Sequence, residues 1–153
     1  MHATFAMNPQ SVDIVDAATK DDILQQLSEL FARAYALDAT QVLEALLERE
    51  SLGSTGFGRG VAIPHARIAG IKRPIGALLR LERPADFAAA DGMPVDLVFG
   101  LLSPEGSGAM HLYALAEISR LMRDEDVHEA LSDAPDGEAL YGLLTNASDR
   151  DAA

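Results

Sequence analysis

Between residues 53 and 60, four of eight positions are glycine: Gly53-Ser54-Thr55-Gly56-Phe57-Gly58-Arg59-Gly60. Glycine carries the largest backbone entropy cost of ordering, so no stable helix runs through this segment. It divides the chain into two patterns. Before it, Leu24, Leu27, Leu30, Phe31, Ala34 and Tyr35, then Val42, Leu43, Leu46 and Leu47, recur at helical spacing. After it come short apolar runs with strand character. These are Val61-Ala62-Ile63, Ile75 to Leu81 and Val95 to Leu102. An all-helical bundle and an all-strand sandwich are both excluded. The class is α/β (α+β), with helices and strands interleaved around a small sheet in a single domain.

Local signals fill in the elements. Ser11 to Val15 alternates like a half-buried strand. Thr19 precedes Lys20-Asp21-Asp22 as a helix cap, and that helix is expected to end near Leu37. Asp38 or Thr40 caps the second helix. Pro64 is expected to stop the strand that His65 ends. Asp91-Gly92 marks a turn between the two long strands, and Pro104 to Gly108 is a loop. A helix follows with His111, Leu115, Ile118 and Met122 along one face. Two shorter helices are expected, over Glu125–Leu131 and Asp136–Leu144. The domain is expected to span residues 11–146, with residues 1–10 and 147–153 as flexible termini.

The glycine segment superficially resembles a phosphate-binding loop. Arginine stands where a P-loop needs lysine, and glycine where it needs Ser or Thr. The order of elements is also reversed, with a helix before the loop and a strand after it. A nucleotide site is therefore not expected. The alternatives for the loop are a flexible connector or a backbone that something must approach closely.

The 153-residue chain carries 24 acidic and 12 basic residues, for a net charge of −12. Such a chain is a poor binder of nucleic acid through phosphate electrostatics. The charge is uneven, however. From Arg49 to Arg83 there are seven basic residues against two acidic ones. This island either handles an anion locally or pairs with surrounding carboxylates. There is no cysteine, which removes disulfide, thiolate and Cys-metal chemistry. No apolar run reaches the roughly 20 residues that span a bilayer, and the start lacks a signal-peptide pattern. Membrane insertion is not expected, and a cytoplasmic location is.

Four histidines remain as chemical candidates. His2 lies in the expected frayed start, and His128 in an acidic, solvent-facing stretch. His65 follows a rigid proline inside the basic island. His111 opens a helix after a glycine-bearing loop. No His-Glu-x-x-His or other metal spacing is present, so no metal site is expected. Neither Ser54 nor Ser107 sits on a nucleophile elbow. Phosphoryl transfer through histidine needs only a neutral imidazole, with arginines and helix N-terminal amides to hold phosphoryl oxygens.

The run Leu47-Glu48-Arg49-Glu50, Ser54-Thr55-Gly56 and Gly58-Arg59-Gly60-Val61-Ala62-Ile63-Pro64-His65-Ala66 resembles the EIIA domain of the fructose/mannitol class of the bacterial phosphotransferase system (PTS). Asp91-Gly92-x-Pro94-Val95-Asp96, Leu101-Leu102-x-Pro104, His111-Leu112 and Leu140-Tyr141 match in order and spacing. The resemblance runs from about Ser11 to Leu144 and is strongest to the nitrogen-regulatory branch.

It implies a mixed β-sheet flanked by helices, and no cofactor. His65 would accept a phosphoryl group from an HPr-like phosphocarrier protein, with the tele nitrogen as candidate. His111 would be auxiliary. Arg49 would be the second charge partner, with Arg59 and Arg67 as weaker phosphate contacts, and Phe57 part of an apolar docking rim. Asn or Glu often stands at the position of Arg59, which puts the usual bond there in question. The domain is expected to stand alone, as a regulatory switch acting through partner proteins. The alternative is a transport component relaying phosphate to EIIB. A binding module without phosphoryl transfer is the weaker alternative.

Overall fold

The computed structural model describes the backbone of residues 4–152 and the side chains of residues 4–147. Among these residues the elements run β1 (Val12–Val15), α1 (Lys20–Tyr35), α2 (Ala39–Glu50), β2 (Gly56–Gly58), β3 (Val61–Ala62), β4 (His65–Ile68), β5 (Ile75–Ala85), β6 (Val95–Pro104), α3 (Ala109–Arg123), α4 (Glu125–Asp133) and α5 (Gly137–Ala152). Six strands form one mixed sheet in the order β1-β5-β6-β3-β2, with β4 also paired to β6. β5 and β6 are antiparallel, whereas β1 on β5, and β3 and β4 on β6, are parallel.

Side chains alternate across the central strands, as the strand period requires. Val98 and Leu102 of β6 pack toward α1 and α2, with Ile23, Leu24, Leu27, Leu30, Phe31, Val42 and Leu46. Leu97, Phe99 and Leu101 face the other way, onto α3, α4 and α5. Helical layers therefore cover both sheet faces, which is why β6 reads as a nearly continuous apolar run. The caps are as the sequence indicates. Thr19 accepts from the Asp22 N–H, and Asp38 from the N–H groups of Thr40 and Gln41.

Several expectations need correction. The start is not frayed from Thr4 onward. Phe5 is 2% exposed and packs edge-on against Phe99, while Ala6 bridges to Ile75 beside it. A short parallel bridge is invisible to local periodicity. At the other end α5 continues to Ala152, past the expected limit near Leu144, and Ala147 is buried. His2 and the rest of residues 1–3, with residue 153, lie outside the described residues.

The glycine segment is not simply a loop. Gly56–Gly58 pairs antiparallel with Val61–Ala62, and Arg59 and Gly60 form the turn, at φ 58° and 81°. Positive φ at both central residues is the hairpin turn that suits strand twist. Arginine there bears a modest strain, offset where the Asp91 carboxylate accepts from the Arg59 N–H at 2.9 Å. His65 does not end a strand. Pro64 breaks the chain, and His65 begins β4.

His128 is not solvent-facing either. Its Nε2 lies 2.8 Å from Asp96 Oδ1, and the Ser132 hydroxyl donates to Asp96 Oδ2 at 2.7 Å. These bonds tie α4 to β6. The bond to Asp96 raises the His128 pKa above its ordinary 6.5. Burial alone would raise the Asp96 pKa, but the bonds from His128 and Ser132 outweigh it, and the net shift is downward from 3.8. The Asp96 contribution is present above 3.8 and lost on acidification through its lowered pKa. The His128 contribution is complete below 6.5 and lost as pH rises through its raised pKa. Both act fully between these two values. In urea melts on either side of the raised imidazole pKa, wild type is expected to lose this contribution on the alkaline side. Asp96→Asn should lower stability by about 1–3 kcal/mol on the acidic side and flatten that dependence. An unchanged pH dependence would mean the pair is energetically silent.

Candidate functional site

His65 lies at the opening of β4, with α2 and α3 on either side. Parallel pairing sets its register, with His65 beside Leu101 and Arg67 beside Ser103 of β6. Two-residue alternation gives His65 and Arg67 the same face. His111, in the first turn of α3, packs against it with ring centroids 5.7 Å apart. Arg49 lies in the last turn of α2, and its guanidinium donates to the Gly53 carbonyl at 2.9 Å. The loop after α2 is held from below. Glu50 accepts from the N–H and hydroxyl of Thr55 and pairs with Lys20 at 2.8 Å.

A cleft of about 400 Å³ lies between α2 and α3, with His65, His111, Arg49 and Arg67 in its lining. Its apolar rim includes Leu52 and Leu112, which are 81% and 60% exposed. A second hollow of about 250 Å³ holds His65 with Phe57, Arg49, Ser119 and Arg123. His65 therefore lines both.

The structure thus brings together His65, His111, Arg49, Arg67 and Phe57. It does not bring Arg59 into either hollow. That side chain lies 4.0 Å from Glu125 and lines separate depressions with Arg123. Sequence reasoning missed Ser103 and Arg123, which come from distant positions with no local motif. The basic island divides. Arg49 and Arg67 serve the cleft, Arg80 donates to the last carbonyls of α4 at Leu131 and Ser132, and Arg83 pairs with Asp16.

The two imidazoles are set differently. His65 Nδ1 lies 2.7 Å from the Ile63 carbonyl oxygen. A carbonyl only accepts, so Nδ1 carries the proton and Nε2 keeps its lone pair in the neutral ring. Burial lowers the His65 pKa, the Ile63 bond works against it, and Arg49 lowers it further. His111 is 4% exposed, and its Nδ1 lies 2.7 Å from the Ser103 hydroxyl. Burial first, then the charges of Arg67 and His65, push its pKa down to about 4. Near pH 7 both rings are neutral. An unprotonated ring nitrogen thus sits beside two guanidinium groups and the start of α3, whose first N–H groups favour negative charge. That arrangement suits reversible capture of a phosphoryl group. Among the described residues no cluster of His, Asp and Glu is arranged to hold a metal ion. No helix among them is long and apolar enough to cross a membrane.

Comparison with known proteins gives a consistent result. The family model described as the phosphoenolpyruvate-dependent sugar phosphotransferase system, EIIA 2, matches residues 6–147. A nitrogen regulatory protein of Bradyrhizobium diazoefficiens is 47% identical over 126 residues, covering 82% of each chain. Its counterpart in Escherichia coli K12 is 38% identical over 133 residues, covering 86% of this chain and 82% of that protein. The crystal structure of nitrogen regulatory protein IIA-Ntr from Neisseria meningitidis superposes with TM-score 0.82 at 34% identity, covering 90% of this chain and 95% of that one. The mannitol IIA of E. coli shares the fold, with TM-score 0.76 at 20% identity over 92% of this chain and 99% of that one. A mixed sheet between helical layers, a matching family model and close nitrogen-regulatory relatives lead to one assignment: the chain belongs to the EIIA type-2 family of the phosphoenolpyruvate-dependent phosphotransferase system.

Proposed function

We propose that this chain is a phosphoryl carrier of a nitrogen-related phosphotransferase system, accepting phosphate on Nε2 of His65 from an HPr-like carrier and acting as a regulatory switch through partner proteins. The observation that carries this reading is the Nδ1–H bond of His65 to the Ile63 carbonyl, at 2.7 Å. It leaves Nε2 as the nucleophile beside His111 and Arg49. In the transfer, the Nε2 lone pair forms a bond to phosphorus as the donor's P–N bond breaks, and the electron pair of that bond returns to the donor imidazole. The Nδ1 proton stays on His65, stabilised by the Ile63 carbonyl. Because like bonds are exchanged, the protein needs only to align the groups and neutralise charge. Arg49 and Arg67 supply cations, and His111 supplies a hydrogen bond. The exposed Leu52 and Leu112 would dock the carrier at the cleft rim. An added phosphoryl group brings about −1.5 to −2 charge, enough to change which partner binds.

Sugar transport is the second reading. A fructose-specific EIIABC component of Bacillus subtilis is 33% identical over 85% of this chain, spanning 21% of that protein. The higher identity to nitrogen regulatory proteins favours the switch.

Incubation with enzyme I, an HPr-type carrier and phosphoenolpyruvate should give one acid-labile phosphoryl adduct by intact mass at neutral to alkaline pH. His111→Asn should label more slowly, by about 10- to 100-fold. No adduct with several related carriers would overturn the transfer mechanism and leave a binding module.

A further inference from the structure

Ser103 is fully buried near the end of β6, on the sheet face that carries Leu101 and packs under α3. Its backbone lies beside Arg67 in the parallel register. A serine hydroxyl carries one hydrogen, and in a place closed to water that hydrogen needs an acceptor. Among the described residues, the hydrogen-bond partner of the Ser103 hydroxyl is His111 Nδ1 at 2.7 Å. Two arrangements are conceivable. If Nδ1–H donated to Oγ, the hydroxyl hydrogen would be stranded inside the protein. If the hydroxyl donates, Nδ1 accepts and the ring proton must sit on Nε2.

We propose that Ser103 is a positioning residue that donates to His111 Nδ1, holding that imidazole as the Nε2–H tautomer so that it is a hydrogen-bond donor in the cleft beside His65. The proposal rests on the carrier reading above for its functional consequence. Its geometric content is independent of that reading. The site then contains two neutral imidazoles in complementary tautomers. His65 donates a hydrogen bond from Nδ1–H to a backbone carbonyl and keeps Nε2 as nucleophile. His111 accepts a hydrogen bond at Nδ1 from a buried hydroxyl and keeps Nε2–H as donor. The low pKa of His111, about 4, keeps it in the neutral form in which a tautomer has meaning. The difference matters chemically. In the opposite tautomer His111 would present a lone pair to the incoming phosphoryl oxygens and repel them.

The test is 15N–1H correlation NMR of the histidine rings, on the free protein and without any carrier, with His111 identified from a His111→Asn sample. In wild type, His111 should show a protonated Nε2 and an unprotonated Nδ1. Ser103→Ala should shift it to a mixture or to the Nδ1–H form. Ser103→Thr, which keeps a hydroxyl, should retain the wild-type signature. In the labelling assay Ser103→Ala should slow phosphoryl acceptance about tenfold, with Ser103→Thr recovering most of the rate. A wild-type His111 protonated on Nδ1 overturns the proposal whatever the labelling shows. So does an unchanged tautomer in Ser103→Ala. If the tautomers behave as expected and wild type takes no phosphoryl group, the carrier reading falls while the assignment of Ser103 stands.

Discussion

His65→Gln is expected to fold as wild type does and to take no phosphoryl group at all. His65 occupies the first position of a short strand at the cleft, where a glutamine fits without entering the core. Losing the bond to the Ile63 carbonyl should cost about 1 kcal/mol, too little to unfold the domain. The chemical loss is complete, because a carboxamide has no nucleophilic lone pair comparable to imidazole Nε2. Intact mass after incubation with the donor system reads the result, and far-UV circular dichroism confirms the fold. An adduct that persists in His65→Gln would move the acceptor to another residue.

The wild-type pH profile follows from the same geometry. Burial lowers the His65 pKa from 6.5, so the nucleophile stays unprotonated across neutral pH. Acceptance should fall on acidification with a midpoint below 6.5. A midpoint at or above 6.5 would contradict the burial of this ring.

The largest effect on stability is expected at Gly100, in the middle of β6. A Cβ built there lies 2.7 Å from Phe31 Cε2 and 2.9 Å from Leu27 Cδ2. Phe31 and Leu27 are fully buried on α1, so neither has open space to move into. Glycine is required by the close approach of α1 to the sheet, not by backbone conformation. Gly100→Ala should destabilise by about 1–3 kcal/mol and Gly100→Val by about 3 kcal/mol or more, since the helix must lift from the strand. Equilibrium urea unfolding measures both. Leu27→Ala in the Gly100→Ala background should cost less than in wild type, because the shortened side chain relieves the overlap. Strict additivity, or a Gly100→Ala loss below about 0.5 kcal/mol, would show that α1 tolerates the extra methyl by shifting.

The features legible along the chain were those built from neighbours in sequence. The caps at Thr19 and Asp38, the helices they start and the two long strands declare themselves through spacing and composition, because their patterns are local. His65 and His111 also stand out locally, one after a rigid proline and one at a helix start. Their likeness to a known family then supplied the chemistry. The short strands were harder. β3 shows only as the apolar run Val61–Ile63 and β4 not at all, since two and four residues are too short for a periodic signal. Both exist because β6 offers them a long partner.

Everything that joins distant segments waited for the tertiary structure. The segment around Phe5 packs because Phe5 meets Phe99, which lies 94 positions away. His128 looked solvated among acids until β6 brought Asp96 to it. Arg59 shares a motif with His65, yet the hairpin turn carries its side chain toward Glu125, while Arg67 and Arg123 line the hollows His65 occupies. Ser103 became visible as a partner of His111 only across the β6–α3 packing. Amino-acid order by itself determined the helices, their caps, the two long strands and the two histidines, because propensity and capping act over one or two turns. Which arginines, hydroxyls and carboxylates surround those histidines was decided by strand register and helix docking, because burial and hydrogen bonding act through space.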